Sequence, residues 1–180
     1  LTYERYGVST GWNQLYVPFE VPVSVLADKG FEVAYINGVR RGDDNYDGKL
    51  DDFVMEVIYI HGGNANGSEK TLKANYPYFI RYNGEDGNSS KDLIIELEDV
   101  MLYAAKNATF DCTTFTEKFE ITGTTKTVKA TDFEDGYGNK YGVNAKTSKW
   151  TVFGKTATMR PFRFYMAVTS REDSSPIASI

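Results

Sequence analysis

The chain has 180 residues, a formal net charge of −5 and an isoelectric point near 5.0. At that length folding buries roughly 70% of the surface an unfolded chain exposes, enough for one cored domain over residues 1–180. The acidic balance and scattered Lys and Arg exclude the clustered basic face that nucleic acid needs, and no apolar run reaches the ~20 residues of a membrane-spanning helix.

The chain opens at Leu1 with no leader, which reads as a module excised from a larger exported protein. Cys112 is the single cysteine, so no internal disulfide forms. That suits the cytosol and equally suits secreted bacterial proteins that do without disulfides.

Taken in order, "PVSVLADKG" (22–30) is the one helical candidate, a turn or two with Ser24 as N-cap and Gly30 as stop. "FEVAYIN" (31–37) alternates, putting Phe31, Val33 and Tyr35 on one face. "FVMEVIYI" (53–60) is apolar on both faces and reads as a central, mostly covered strand. "PYFIRY" (77–82), "DLIIEL" (92–97), "VMLYAA" (100–105), "KFEIT" (118–122) and "MRPFRFYMAV" (159–168) extend the series. In the last, Phe162, Phe164, Met166 and Val168 share a face, opposite Arg163 and Tyr165. Gly, Asn and Asp clusters at 61–70, 83–92 and 134–142 supply the reversals between strands. The prediction is an all-β, jelly-roll-like β-sandwich of about ten to twelve strands with at most one short helix.

"RGDDNYDGKLDD" (41–52) has the order of a calcium loop at the tip of a hairpin. Calcium takes six to eight oxygens; Asp43, Asn45 and Asp47 offer side chains, Lys49 its carbonyl, and Asp51 or Asp52 closes the shell. Position twelve is Val54 rather than the bidentate Glu of an EF-hand. The expectation is therefore a solvated acidic turn, with one structural calcium as the alternative and a calcium that takes part in binding as a third reading.

Little else looks like chemistry. His61 is the only histidine and no G-x-S-x-G elbow accompanies it. A glycosidase needs two carboxyls roughly 5 Å apart in its retaining form, for which Glu20, Glu56, Glu96, Glu98 and Glu120 are the strand acids, Glu56 and Glu96 being those expected to be partly covered. Aromatic rings can stack on the apolar face of a sugar; Tyr137, Tyr141 and Trp150 are the first candidates, with Tyr46 and Tyr82 behind them, while Trp12 reads as core.

The stretches "WNQLYVPFEVPV" (12–23), "FEVAYINGV", "MEVIYI" (55–60), "LKANYPYFIRY" (72–82), "VMLYAAKN" (100–107), "FEITGT" (119–124) and "MRPFRFYMAVTSR" (159–171) fall in one order along the chain. Together they resemble a β-rich domain found near the C-termini of Bacteroides- and Prevotella-type surface or secreted proteins, often after leucine-rich repeats. The resemblance implies an extracellular or cell-surface accessory module, an Asp-rich insert at the position of the acidic loop, and no catalytic residues. The expected function is non-catalytic and adhesion-type, with a glycan, a host or surface protein, or neighbouring domains of the parent chain as partners. A carbohydrate-binding module is the first alternative and a glycoside-hydrolase-like enzyme the second.

Overall fold

The computed structural model describes residues 1–43, 46–49, 52–62, 67–111 and 118–170. In chain order the strands are β1 (Thr2–Ser9), β2 (Asn13–Leu15), β3 (Val21–Pro22), β4 (Phe31–Gly42), β5 (Asp52–His61), β6 (Thr71–Leu72), β7 (Tyr78–Tyr82) and β8 (Ser90–Glu96). There follow β9 (Asn107–Asp111), β10 (Lys118–Thr124), β11 (Val128–Lys129), β12 (Lys140–Asn144), β13 (Lys149–Val152), β14 (Thr158–Met159) and β15 (Arg163–Ser170). A short helix, α1 (Val23–Ala27), and a 3-10 turn at Ala130–Asp132 are the helical elements among the described residues. The all-β, sandwich-like expectation holds. Among the described residues there are fifteen strands, of which four are two residues long.

A four-stranded sheet runs β2-β7-β4-β5 and a five-stranded sheet β13-β12-β15-β10-β9; β1-β8, β3-β6 and β11-β14 form two-stranded ribbons. Every pairing is antiparallel. Two apolar cores result, one on each face of the four-stranded sheet. Ile36, Val39 and Phe79 meet Phe119, Ile121, Phe164, Met166 and Val168 of the five-stranded sheet. On the other face Phe31, Val33, Tyr78 and Ile80 pack beneath Tyr3, Val8, Leu93 and Ile95 of the β1-β8 ribbon and Leu26 of α1. The period of two sends alternate residues of β4 and β7 into different cores.

Four local expectations need correction. The strand at 53–60 is not central: β5 pairs with β4 alone among the described strands and stands at the sheet edge, while β4 and β7 are interior. Its apolar second face reflects partial cover at an edge, since Val54, Met55, Val57 and Ile58 are only half-buried. The helix starts at Val23, with Pro22 as an N-cap that makes no side-chain bond, so Ser24 is inside it; Gly30 does end the turn, at φ +83. "VMLYAA" joins no sheet. Its backbone is tied down by Tyr103 N–H donating to Pro18 O at 2.7 Å, and Met101 and Leu102 remain 67% and 63% exposed. Finally, "MRPFRFYMAV" is split between β14 and β15 by a turn in which Phe162 has φ +59. Phe164, Met166 and Val168 share a core as expected, but Phe162 packs into the opposite one. Among the described residues no helix is long and apolar enough to cross a membrane.

Candidate functional site

β5 closes the four-stranded sheet and β13 the five-stranded one, and residues of both edge strands line one cleft. An edge has no next strand to cover it, so the layers part there. The gap is a cleft of about 310 Å³ walled by Val54, Met55 and Val57 of β5 and by Val143, Lys149 and Trp150 of β12 and β13. Trp12 and Phe79 form its floor, and Thr147 and Ser148 its polar rim. That volume lies at the small end of the ~300–1,000 Å³ range of ligand pockets, and the mix of apolar walls with few polar groups is the usual one.

The rings are held from behind. Trp12 packs edge-on against Tyr59 at 5.4 Å between centroids and lies 6.2 Å from Phe79. Phe79 in turn meets Trp150 at 6.3 Å and Phe164 at 5.5 Å. The Arg81 guanidinium sits 4.7 Å from the Trp12 ring centroid and 5.6 Å from that of Tyr59, and it is ion-paired with Glu32. A cation over an indole contributes roughly 0.5–2 kcal/mol depending on desolvation, so Arg81 orients Trp12 as well as solvating the edge.

The rim is positioned by a close backbone approach. Ser148 Oγ accepts from Trp12 N–H at 3.0 Å, and the Ser9 hydroxyl lies 3.4 Å from Ala145 O. Gly11 makes this docking possible, because a Cβ there would stand 1.9 Å from Ala145 O. The turn after β1 and the β12–β13 hairpin tip can therefore touch, which brings Trp12 and Trp150 to one cleft, each against Phe79.

Neither the family models, nor the curated proteins, nor the solved structures contain a match to this chain.

The sequence-predicted ring residues are distributed differently from expectation. Tyr141 and Trp150 are not surface platforms: each is 4% exposed, on strands whose inward positions feed the core between the two larger sheets. Trp150 lines the cleft but is almost wholly buried. Tyr137 is half-buried in the turn before β12 and does not line the cleft. Tyr82 is buried at 3%, and Tyr46 is 91% exposed at the tip of the acidic loop. Trp12, read as core, packs half-buried against the core between the two larger sheets and also lines the cleft. Only a cross-layer contact could reveal that, since the residues gathered here lie at 12, 54–57, 79 and 143–150.

The acidic loop is partly described. Asp43 accepts from the backbone N–H of Asp47 and of Gly48, both at 2.9 Å. Asp47 accepts from Lys49 N–H at 2.9 Å and has the Lys49 ammonium at 3.6 Å. Asp52 begins β5 opposite Gly42. Asn45 and Asp51 lie outside the described residues, and among those described no three acidic, His or Cys side chains gather closely enough to hold a metal. The carboxylate of Asp43 thus closes the turn through backbone donors, an arrangement available with or without an ion.

Of the remaining candidates, Glu20, Glu56, Glu96 and Glu98 are exposed and Glu120 is half-buried. The partial cover expected for Glu56 and Glu96 is absent: Glu56 stands on an edge strand and Glu96 ends a strand of a two-stranded ribbon, and both are exposed. His61 is exposed at the end of β5, and Cys112 lies outside the described residues.

Proposed function

We propose that the chain is a non-catalytic binding module of an exported bacterial surface protein, and that the Trp12–Trp150 cleft seats a sugar ring of a glycan. The observation that carries this reading is the cleft itself: indole and phenyl surface on the floor, aliphatic walls, and hydroxyl and ammonium groups of Thr147, Ser148 and Lys149 on one side. A pyranose has the same division, with an apolar C–H face and a polar circumference. The resemblance to surface-protein modules supports an extracellular setting.

The test is a glycan-binding screen followed by titration calorimetry on the best ligand. Trp12→Ala should weaken binding about tenfold or more, which corresponds to ~1.4 kcal/mol. Tyr137→Ala, outside the cleft, should leave affinity unchanged. Binding that survives Trp12→Ala and disappears with Tyr137→Ala would move the site away from the cleft and end this proposal.

One calcium at residues 43–52 belongs to the same reading, as a staple on the β4–β5 hairpin whose second strand walls the cleft. Asp43, Asn45, Asp47, the Lys49 carbonyl and Asp51 or Asp52 would hold it. A chelator is then expected to lower the melting temperature by several degrees, and Asp47→Ala to abolish that sensitivity. Superimposable melts with and without chelator would leave an acidic turn closed by Asp43 alone.

A further inference from the structure

A second cavity, of about 260 Å³, opens on the opposite side of the four-stranded sheet from the aromatic cleft. It is lined by Tyr3, Arg5, Arg160, Phe162 and Arg163, with Glu4 and Tyr6 at its margin. In a chain of net charge −5 this is a local concentration of positive charge. Arg5 is 8% exposed and Arg163 half-buried, while Arg160 is exposed at the mouth. Among the described residues no carboxylate pairs with any of the three.

Their donors are only partly used. A guanidinium carries five N–H groups. Arg5 donates to Gln14 O and to Asn13 Oδ1, the latter at 3.1 Å, and Arg163 donates to Pro161 O and Phe162 O, both at 3.1 Å. All these acceptors are neutral. The Tyr3 hydroxyl is fully enclosed and meets hydrogen-bond geometry with no protein group, although it lies close enough to Arg5 and Arg163 to favour their charged forms. Burial, with Arg163 and Arg160 adding like-charge repulsion, brings the Arg5 pKa down to about 9, so the cation persists at neutral pH while its charge is poorly compensated.

Burying cations together without a counter-charge is expensive, and a guanidinium does not escape by losing its proton. The backbone adds a second sign of deliberate construction. Phe162, a bulky residue, is held at φ +59, where such side chains are rare, and its ring meets Tyr3 edge-on at 5.4 Å. The turn keeps Arg160 and Arg163 on the same cavity, which a continuous strand would not do.

We propose that this cavity is an oxyanion site, in which Arg5, Arg160 and Arg163 receive a carboxylate or sulfate group. Arginine forks match the oxygen spacing of such groups and bind them in two-point fashion. The oxyanion is either a free ion or a charged substituent on a larger ligand, and the experiment separates the two sources. Titration calorimetry and thermal melts are run with inorganic sulfate and with glucuronate, at an ionic strength held constant with chloride.

Saturable binding is expected in the intact protein, with an affinity loss of at least tenfold in Arg160→Gln, which removes an exposed side chain and leaves the melting temperature in chloride unchanged. Arg163→Gln should weaken it further, and Glu4→Gln should tighten it severalfold by removing a like charge at the mouth. Glucuronate binding tenfold tighter than sulfate assigns a substituent of a larger ligand; equal affinities assign the free ion. Sulfate also stabilises proteins generally by exclusion from their surface, so a sulfate-induced rise in melting temperature retained in full by both Arg160→Gln and Arg163→Gln overturns the site. So does anion binding that appears only in Glu4→Gln, which would make Glu4 the resident counter-charge.

Discussion

Gly123→Ala is expected to destabilise this protein severely through a single added methyl group. Gly123 lies on β10 opposite Phe164 of β15, and an added Cβ would stand 2.0 Å from two carbons of the Tyr16 ring. Alanine in a strand normally gains roughly 0.5–1 kcal/mol over glycine by restricting the unfolded chain. Here that gain is overwhelmed, because Tyr16 cannot retreat. It is 1% exposed, and its hydroxyl both donates to Lys106 O at 2.6 Å and accepts from Lys106 N–H at 3.1 Å. Overpacking costs ~1–3 kcal/mol when neighbours can shift; with the ring pinned at its far end the loss should be at least ~3 kcal/mol. For a domain of this size that is a fall of roughly 6–12 °C in melting temperature. The double variant Tyr16→Ala/Gly123→Ala separates clash from other effects, since the glycine substitution should cost little once the ring is gone. A Gly123→Ala protein that melts within a degree of its parent would refute the packing described for this face of β10.

Phe164→Ala should remove about 3–5 kcal/mol, the usual cost of emptying a phenylalanine site in a core. Phe164 is fully buried and its ring lies edge-on to Phe79 at 5.5 Å and tilted against Trp150 at 6.1 Å. It therefore supports the two rings that floor and edge the cleft, from the side away from solvent. The same substitution should lower ligand affinity through the cleft although Phe164 does not line it. Denaturant unfolding and calorimetry on one preparation measure both effects. Phe164→Leu keeps most of the volume and should lose well under half as much stability. An alanine variant with less than about 1 kcal/mol of loss would mean that the two sheets are not joined through this residue.

The sequence by itself determined the class of fold and much of the strand inventory. Alternation in "KFEIT" and in "FRFYMAV", and turn residues between runs, are local properties, and a pleated backbone converts them directly into an inner and an outer face. It also brought the acidic loop to a hairpin tip, where Asp43 does close a turn. It could not rank strands within a sheet. "FVMEVIYI" looks as apolar as an interior strand, yet β5 is an edge, because pairing partners are chosen by the whole topology and an edge beside a cleft keeps aliphatic walls. Nor could it separate "VMLYAA" from a strand, since exposure of Met101 and Leu102 goes with the absence of a paired strand among the described residues, which no local pattern records.

Only the tertiary structure decided the sites. Trp12 and Trp150 come to one cleft through a glycine at 11 that admits the carbonyl of Ala145, and Arg5 comes to Arg163 through a left-handed turn at Phe162. Both are meetings of residues more than a hundred positions apart. A cavity is a gap between layers, defined by where sheets end and how closely they approach, and those quantities belong to the packed chain rather than to any stretch of it.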